Sequence, residues 1–254
     1  MMNEHKEALL QFFRENPKAA IAFSGGVDSA YLLAAALEAG TQTTAYFVKT
    51  AFQPQFELED ALRLSAQLGA ELRVLNVDIL ACPEVAANPT DRCYHCKRQI
   101  FGTILQAAAE DGFTVLCDGT NASDDAGDRP GIRALRELSV RSPLREAGLT
   151  KPEIRALSHE AGLFTWDKPA YACLATRVST GTALTPDLLE RTEWAEAYLS
   201  SLGFRDFRVR LLCSCAKLQL REEQLPLLAA HRAEILETLK QRYSGVLLDL
   251  EVRS

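Results

Sequence analysis

The apolar run Ala19-Ala20-Ile21-Ala22-Phe23 passes straight into Ser24-Gly25-Gly26-Val27-Asp28-Ser29, and that hexapeptide opens a helix-forming stretch from Ala30 to Ala36. A short apolar strand that turns through two glycines into a helix is the first half of a βαβ unit. It commits the chain to layers of sheet and helix. The pattern then repeats. Strands are expected at about Thr43 to Lys49, Glu71 to Val77 and Phe113 to Cys117, with helices from about Glu57 to Leu68 and from near Lys97. Strands and helices alternating through short connections predict an α/β fold, a parallel sheet with helices on both faces. Ligands of such sheets lie beyond the carboxyl ends of the strands, where the loops after Phe23, Lys49 and Cys117 meet.

The glycine loop has the chemistry of an anion site. Gly25 and Gly26 can take positive φ and bring backbone N–H groups up to an oxyanion with no Cβ in the way. The helix start adds unpaired donors and the positive end of its dipole, and Ser24 and Ser29 add hydroxyls. Asp28 would repel a phosphate, so it is assigned either to a magnesium ion or to capping the loop. No Gly-Lys-Ser/Thr follows, which excludes a Walker A loop. An ordinary Gly-Gly turn with Asp28 or Ser29 as N-cap would look the same. Asp118-Gly119-Thr120-Asn121 follows the fourth strand and opens on the same crevice, although these residues are also plain turn formers.

Thr150-Lys151-Pro152-Glu153 is a capping box that opens a helix to Ala161. An irregular segment from Phe164 to Thr182 follows. Beyond it the pattern predicts a helix from Thr185 to Gly203, strands Phe207 to Leu212 and Lys217 to Leu220, one helix from Glu222 to Gln241, and a strand from Val246 to Val252. This α-β-β-α-β order makes a small α+β C-terminal domain, giving two domains at 1–164 and 165–254.

The chain of 254 residues is 47% hydrophobic with a net charge of -6, enough to build a core and a poor match to a surface that tracks a nucleic-acid backbone. No signal or membrane-spanning segment is expected, so a cytoplasmic address follows. Seven cysteines in a reducing compartment then need reasons other than disulfides. Cys93-Tyr94-His95-Cys96 stands at a helix start between Arg92 and Lys97, which favour thiolate. It can be read as a redox pair, a zinc half-site completed by Cys213 and Cys215, two buried thiols, or two ligands of a [4Fe–4S] cluster with Cys173 as third. Cys117, in an apolar strand, reads as a core residue.

The hexapeptide resembles the signature of the PP-loop ATP pyrophosphatases, which implies that ATP is split between its α- and β-phosphates, with Gly119 and Thr120 near the nucleotide phosphates. Taken with Arg92 to Lys97, Asp118 to Asn121, Arg129-Pro130-Gly131, Ser142-Pro143-Leu144 and Lys168-Pro169 through Cys173 to Arg177, nearly the whole chain resembles the LarE family of ATP-dependent sulfur transferases in nickel-pincer nucleotide biosynthesis. That resemblance implies adenylation of a carboxylate of pyridinium-3,5-biscarboxylic acid mononucleotide and its conversion to a thiocarboxylate. Two sulfur donors occur in the family: a sacrificial cysteine, matching Cys173, or a sulfide on a three-cysteine [4Fe–4S] cluster. A sacrificial enzyme has no chemical need for the Cys93–Cys96 pair, so the cluster type is favoured. The implied partners are a small nucleotide substrate, a sulfide source or sulfur-donating protein, and further copies of the chain in a homo-oligomer; no nucleic acid or membrane is involved.

Arg208 and Arg210 share one face of a strand, which suits bidentate phosphate binding or an ordinary solvated edge. The family resemblance places them at the substrate phosphate with Thr176 and Arg177, and places Glu196 in the same pocket, where a plain exposed helix carboxylate is the alternative. Trp166 and Tyr171 could stack on the pyridinium ring or merely pack. Gln219 stands where the family often has an acidic residue, so an acidic role is not expected there. Rival readings are an amide-forming ligase, for which no glutaminase or ammonia channel is visible; a tRNA thiolase, which the negative charge opposes; and a non-catalytic nucleotide sensor or iron–sulfur scaffold.

Overall fold

A computed structural model describes residues 2–124 and 130–251, so Arg129 and Val252 of the patterns above lie outside the described residues. The chain divides into two compact units, residues 1–79 with 91–168 and residues 80–90 with 169–254. The sequence reading puts one boundary at 164/165 and has no signal that would assign residues 80–90 to the second unit.

In the first unit, α1 (Met2–Glu15), β1 (Lys18–Ala22), α2 (Val27–Glu38), β2 (Gln42–Lys49), α3 (Gln55–Leu68) and β3 (Glu71–Asn76) follow one another. After the short α4 (Pro83–Ala86), which belongs to the second unit, come α5 (Arg92–Glu110), β4 (Leu116–Cys117), α6 (Pro130–Glu137), α7 (Pro143–Glu146) and α8 (Lys151–Glu160). The four strands form one parallel sheet in the order β3-β2-β1-β4. This is the α/β fold expected.

Side chains on the strands alternate between the two faces, as the pleat requires. Ala19 and Ile21 of β1 and Ala45 and Phe47 of β2 pack with Leu9 and Phe13 of α1, Leu32 and Leu33 of α2 and Ile154 of α8. Ala20, Tyr46 and Val48 turn to the other face, against Phe101, Ile104 and Ala108 of α5. The chain runs outward from β1 through β2 to β3 and then returns to place β4 on the far side of β1. The strand order therefore reverses between β1 and β4, so the loops after those two strands open side by side.

The second unit contains α9 (Pro186–Ser201), β5 (Arg208–Leu212), β6 (Cys215–Gln219), α10 (Leu225–Ala230), α11 (Arg232–Leu239) and β7 (Val246–Leu248). β6 is central, antiparallel to β5 and parallel to β7. Val209, Ala216 and Leu218 bury against Ala195 and Leu199 of α9 and Ile235 and Leu239 of α11. The single helix expected over 222–241 is a 3-10 turn, Glu222–Gln224, followed by two helices. His231 ends one and starts the next, with Glu234 at 3.1 Å from its Nδ1. Asn88 explains why residues 80–90 join this unit. It is fully buried at φ 55°, and its amide donates to the carbonyls of Ser179 (2.9 Å) and Thr182 (3.0 Å) while its own carbonyl accepts from Gly181 (2.8 Å). Among the described residues no helix is long and apolar enough to cross a membrane.

Candidate active site

The loop between β1 and α2 is drawn tight by its own serines. Ser29 Oγ donates to the Gly26 carbonyl (3.2 Å) and accepts from the Ser24 amide (3.2 Å), and the two hydroxyls lie 3.1 Å apart. Only one of the two glycines uses positive φ. Gly25 sits at φ 70°, where an added Cβ would stand 3.1 Å from the Glu57 carbonyl oxygen. Gly26 is an extended N-cap at φ -83°, and a Cβ there would meet only the Ser24 hydroxyl at 3.3 Å.

The Asp28 carboxylate is bonded to side chains from far along the chain rather than to the loop backbone. One carboxylate oxygen takes Lys151 Nζ at 2.5 Å and the other takes the Asn121 amide at 3.3 Å. Lys168 approaches from the other direction, bonding the Gly25 carbonyl (3.3 Å) and Asp60 (2.6 Å). Both lysines stand in local motifs, a capping box and the run from Lys168 to Arg177, but nothing there ties either to the glycine loop. Each lies more than a hundred residues from the carboxylate it meets.

The loop after β4 is built around a buried carboxylate. Asp118 accepts from the hydroxyls of Ser142, at 2.7 Å, and Thr120. Asn121 is buried, with its side-chain oxygen on the Ser123 amide at 2.8 Å. Gly119 presses on the start of α2, where a Cβ would come within 2.9 Å of the Ser29 amide nitrogen. The two loops are thus in contact, and the structure brings Ser24, Gly25, Gly26, Asp28, Ser29, Gly119, Thr120 and Asn121 close together. Gly119→Ala should cost about 1–3 kcal/mol by overpacking, because the atom it strikes is backbone. Gly26→Ala should cost less, since a hydroxyl can rotate away. Thermal melts and ATP affinities of the two variants check this ranking.

Cys93 and Cys96 occupy the first two turns of α5, which begins five residues earlier than the helix start expected near Lys97. Cys93 is exposed, Cys96 half-buried, and the spacing of three puts both on one helix face. None of the seven cysteines forms a disulfide. Cys117 is a core residue, its thiol pushed up to about 12 chiefly by burial. Among the described residues no three His, Cys, Asp or Glu side chains are grouped so as to hold a metal ion.

In the second unit, arginines gather around the segment that carries Cys173. Cys173 is half-buried and caps the 3-10 turn Leu174–Arg177; its carbonyl accepts from the Thr176 amide (3.0 Å) and hydroxyl (2.8 Å). Arg208 Nη2 donates to the Ala170 carbonyl (2.8 Å) and Arg210 Nη1 to the Thr176 carbonyl (3.1 Å), so the pair brackets Cys173 along the chain. Arg208 is buried and Arg210 exposed. Arg177 is 1% exposed and holds Glu196 with two bonds, 2.7 and 3.1 Å, and donates further to the Ala172 carbonyl and the Thr176 hydroxyl. Burial works against its charge, and Glu196 more than restores it, so its pKa is raised.

Glu196 is therefore no exposed helix carboxylate; it also accepts from the Val209 amide (2.9 Å) and the Tyr171 hydroxyl. Both Arg177 and Arg208 lie over the Tyr171 ring, at 4.7 and 5.2 Å from its centroid. Trp166, 40% exposed, packs edge-on against His159 in the first unit. Gln219 links Arg210 to Asp249, its amide donating to that carboxylate at 2.7 Å, so the acidic group near Arg210 comes from the chain after β7.

No family model matches the chain. It is 38% identical over 228 residues to an uncharacterised protein of Synechocystis sp., covering 89% of this chain and 84% of that one. It is 32% identical over 222 residues to the pyridinium-3,5-bisthiocarboxylic acid mononucleotide synthase of Lactiplantibacillus plantarum, covering 87% and 80%. A tRNA-specific 2-thiouridylase of Thermotoga petrophila is 26% identical over 191 residues, 58% of this chain and 52% of that one. A tight glycine loop at the switch point of a parallel sheet, an arginine-bracketed cysteine, and a relative matched over most of both lengths agree: the chain belongs to the LarE family of ATP-dependent sulfur transferases.

Proposed function

We propose that this enzyme adenylates a carboxylate of pyridinium-3,5-biscarboxylic acid mononucleotide and replaces one of its oxygens with sulfur. The Lactiplantibacillus plantarum relative, a pyridinium-3,5-bisthiocarboxylic acid mononucleotide synthase, supports that product. The observation that carries the reading is the set of three arginines ordered around Cys173. The carbonyls of Ala170 and Thr176 orient the guanidiniums of Arg208 and Arg210, and paired guanidiniums suit a phosphorylated, carboxylated substrate.

On this reading the first unit is the adenylating domain. The substrate carboxylate oxygen attacks the α-phosphorus of ATP, and pyrophosphate leaves into the loop formed by Ser24 to Ser29 and Gly119 to Asn121; a magnesium ion, when bound near Asp28, would share its charge. Adenylation turns a poor leaving group into AMP. The second unit is the substrate and sulfur-transfer domain. Arg208, Arg210 and Thr176 bind the mononucleotide phosphate, with Arg177, locked by Glu196, beside them on the Thr176 hydroxyl. Cys93, Cys96 and Cys173 would hold a [4Fe–4S] cluster, which when bound supplies a transferable sulfide on its fourth iron. All three are free thiols, although among the described residues they are not grouped as a ligand set.

Anaerobic iron and sulfide analysis, joined to intact mass after turnover, tests the sulfur route. Iron and sulfide in the ratio of a cubane, an unchanged polypeptide mass and several thiocarboxylates per chain are expected. Loss of one sulfur and two hydrogens at Cys173 would instead assign the sacrificial route.

A further inference from the structure

The carboxylate of Asp28 lies in the first turn of α2, among the N–H groups that would meet a pyrophosphate. A bare negative charge there would repel the ligand. The charge is not bare: Lys151 Nζ stands 2.5 Å from Asp28 Oδ2, and the Asn121 amide covers Oδ1. Walker A loops carry their phosphate-binding lysine in the loop itself. Here the hexapeptide contains none, and Lys151 is delivered to it from the start of α8.

That delivery is well fixed. Thr150 and Glu153 complete the capping box, so α8 begins at one defined residue. The Lys151 amide also donates to the Ser123 hydroxyl at 2.9 Å, on the segment that follows Asn121. The side chain therefore starts from an anchored backbone, and its ammonium group ends at the first turn of α2. Lys168 plays a different part. It bonds the Gly25 carbonyl, an acceptor, and the Asp60 carboxylate of α3, so it braces the loop.

We propose that Lys151 is a phosphate-binding residue of this loop, held in place by Asp28 and surrendered to the pyrophosphate end of ATP. The proposal rests on the reading of the loop as a pyrophosphate site. A half-exposed ion pair is weakly held. A multiply charged phosphate can therefore take the ammonium group from a single carboxylate, which is then available to a magnesium ion.

Calorimetric titration of the full chain with inorganic pyrophosphate, without added divalent cation, tests this. Lys151→Met should weaken binding by about tenfold or more, the loss of one charge-assisted hydrogen bond, with a melting temperature close to wild type. Lys151→Arg should recover most of it. The decisive comparison is made in an Asp28→Asn background. If Lys151 binds phosphate, Lys151→Met still costs a similar factor there. If Lys151 serves only to neutralise Asp28, the double variant binds like Asp28→Asn alone, and the proposal is overturned. Wild-type protein that binds neither pyrophosphate nor ATP would overturn the loop reading itself, a result distinct from wild-type binding that Lys151→Met leaves unchanged.

Discussion

Cys173→Ala is expected to abolish thiocarboxylate formation while leaving substrate-dependent pyrophosphate release close to wild type. The separation follows from what Cys173 does in the fold. Its structural bonds to Thr176 run through its carbonyl oxygen, which alanine keeps, so the 3-10 turn and the Arg177 site survive the change. Only the thiol is lost, and with it the sulfur step. The glycine loop proposed for adenylation lies in the other unit of the chain. Product analysis by mass spectrometry beside a pyrophosphate assay reads the two half-reactions separately. Full sulfur transfer by Cys173→Ala would remove this residue from the chemistry.

Glu196→Ala is expected to lower stability by about 3–5 kcal/mol, the cost of leaving a buried charge without its partner. Arg177 is almost fully buried, and Glu196 takes two of its bonds together with the Val209 amide and the Tyr171 hydroxyl. The second unit should melt first, and residual activity should fall further than stability because Arg177 then loses its orientation. Arg177→Met with Glu196→Gln, which removes both charges, should recover much of the stability and none of the sulfur transfer. Urea denaturation of the three proteins measures this. A Glu196→Ala midpoint equal to wild type would show that the pair contributes nothing.

The sequence reveals most where the constraint is local. The strand, two glycines and helix at residues 19–36 make the β1–α2 loop visible, and the Thr150–Glu153 capping box forms as read. The alternation of apolar residues in β1 and β2 is enough to expect a sheet covered on both faces. What stays hidden depends on partners far along the chain. Asp28 reads as a magnesium ligand or a cap because Lys151 and Asn121 reach it only after folding. The resemblance places Glu196 in the pocket with a surface carboxylate as the alternative, and nothing near it in sequence shows that Arg177 will bury against it. The Arg208–Arg210 spacing gives one shared face, but only the folded sheet shows one guanidinium buried and the other exposed. Asn88 gives no signal at all, since its partners lie 91 and 94 residues away.

The most direct test of the whole account is one reaction: the purified chain, anaerobic, with ATP, magnesium, a sulfide source and pyridinium-3,5-biscarboxylic acid mononucleotide. The account predicts AMP and pyrophosphate in equal amounts, formed only when the mononucleotide is present, and a product in which one carboxylate oxygen is replaced by sulfur. Release of ADP and phosphate, or pyrophosphate formed with no sulfur entering the mononucleotide, would contradict it.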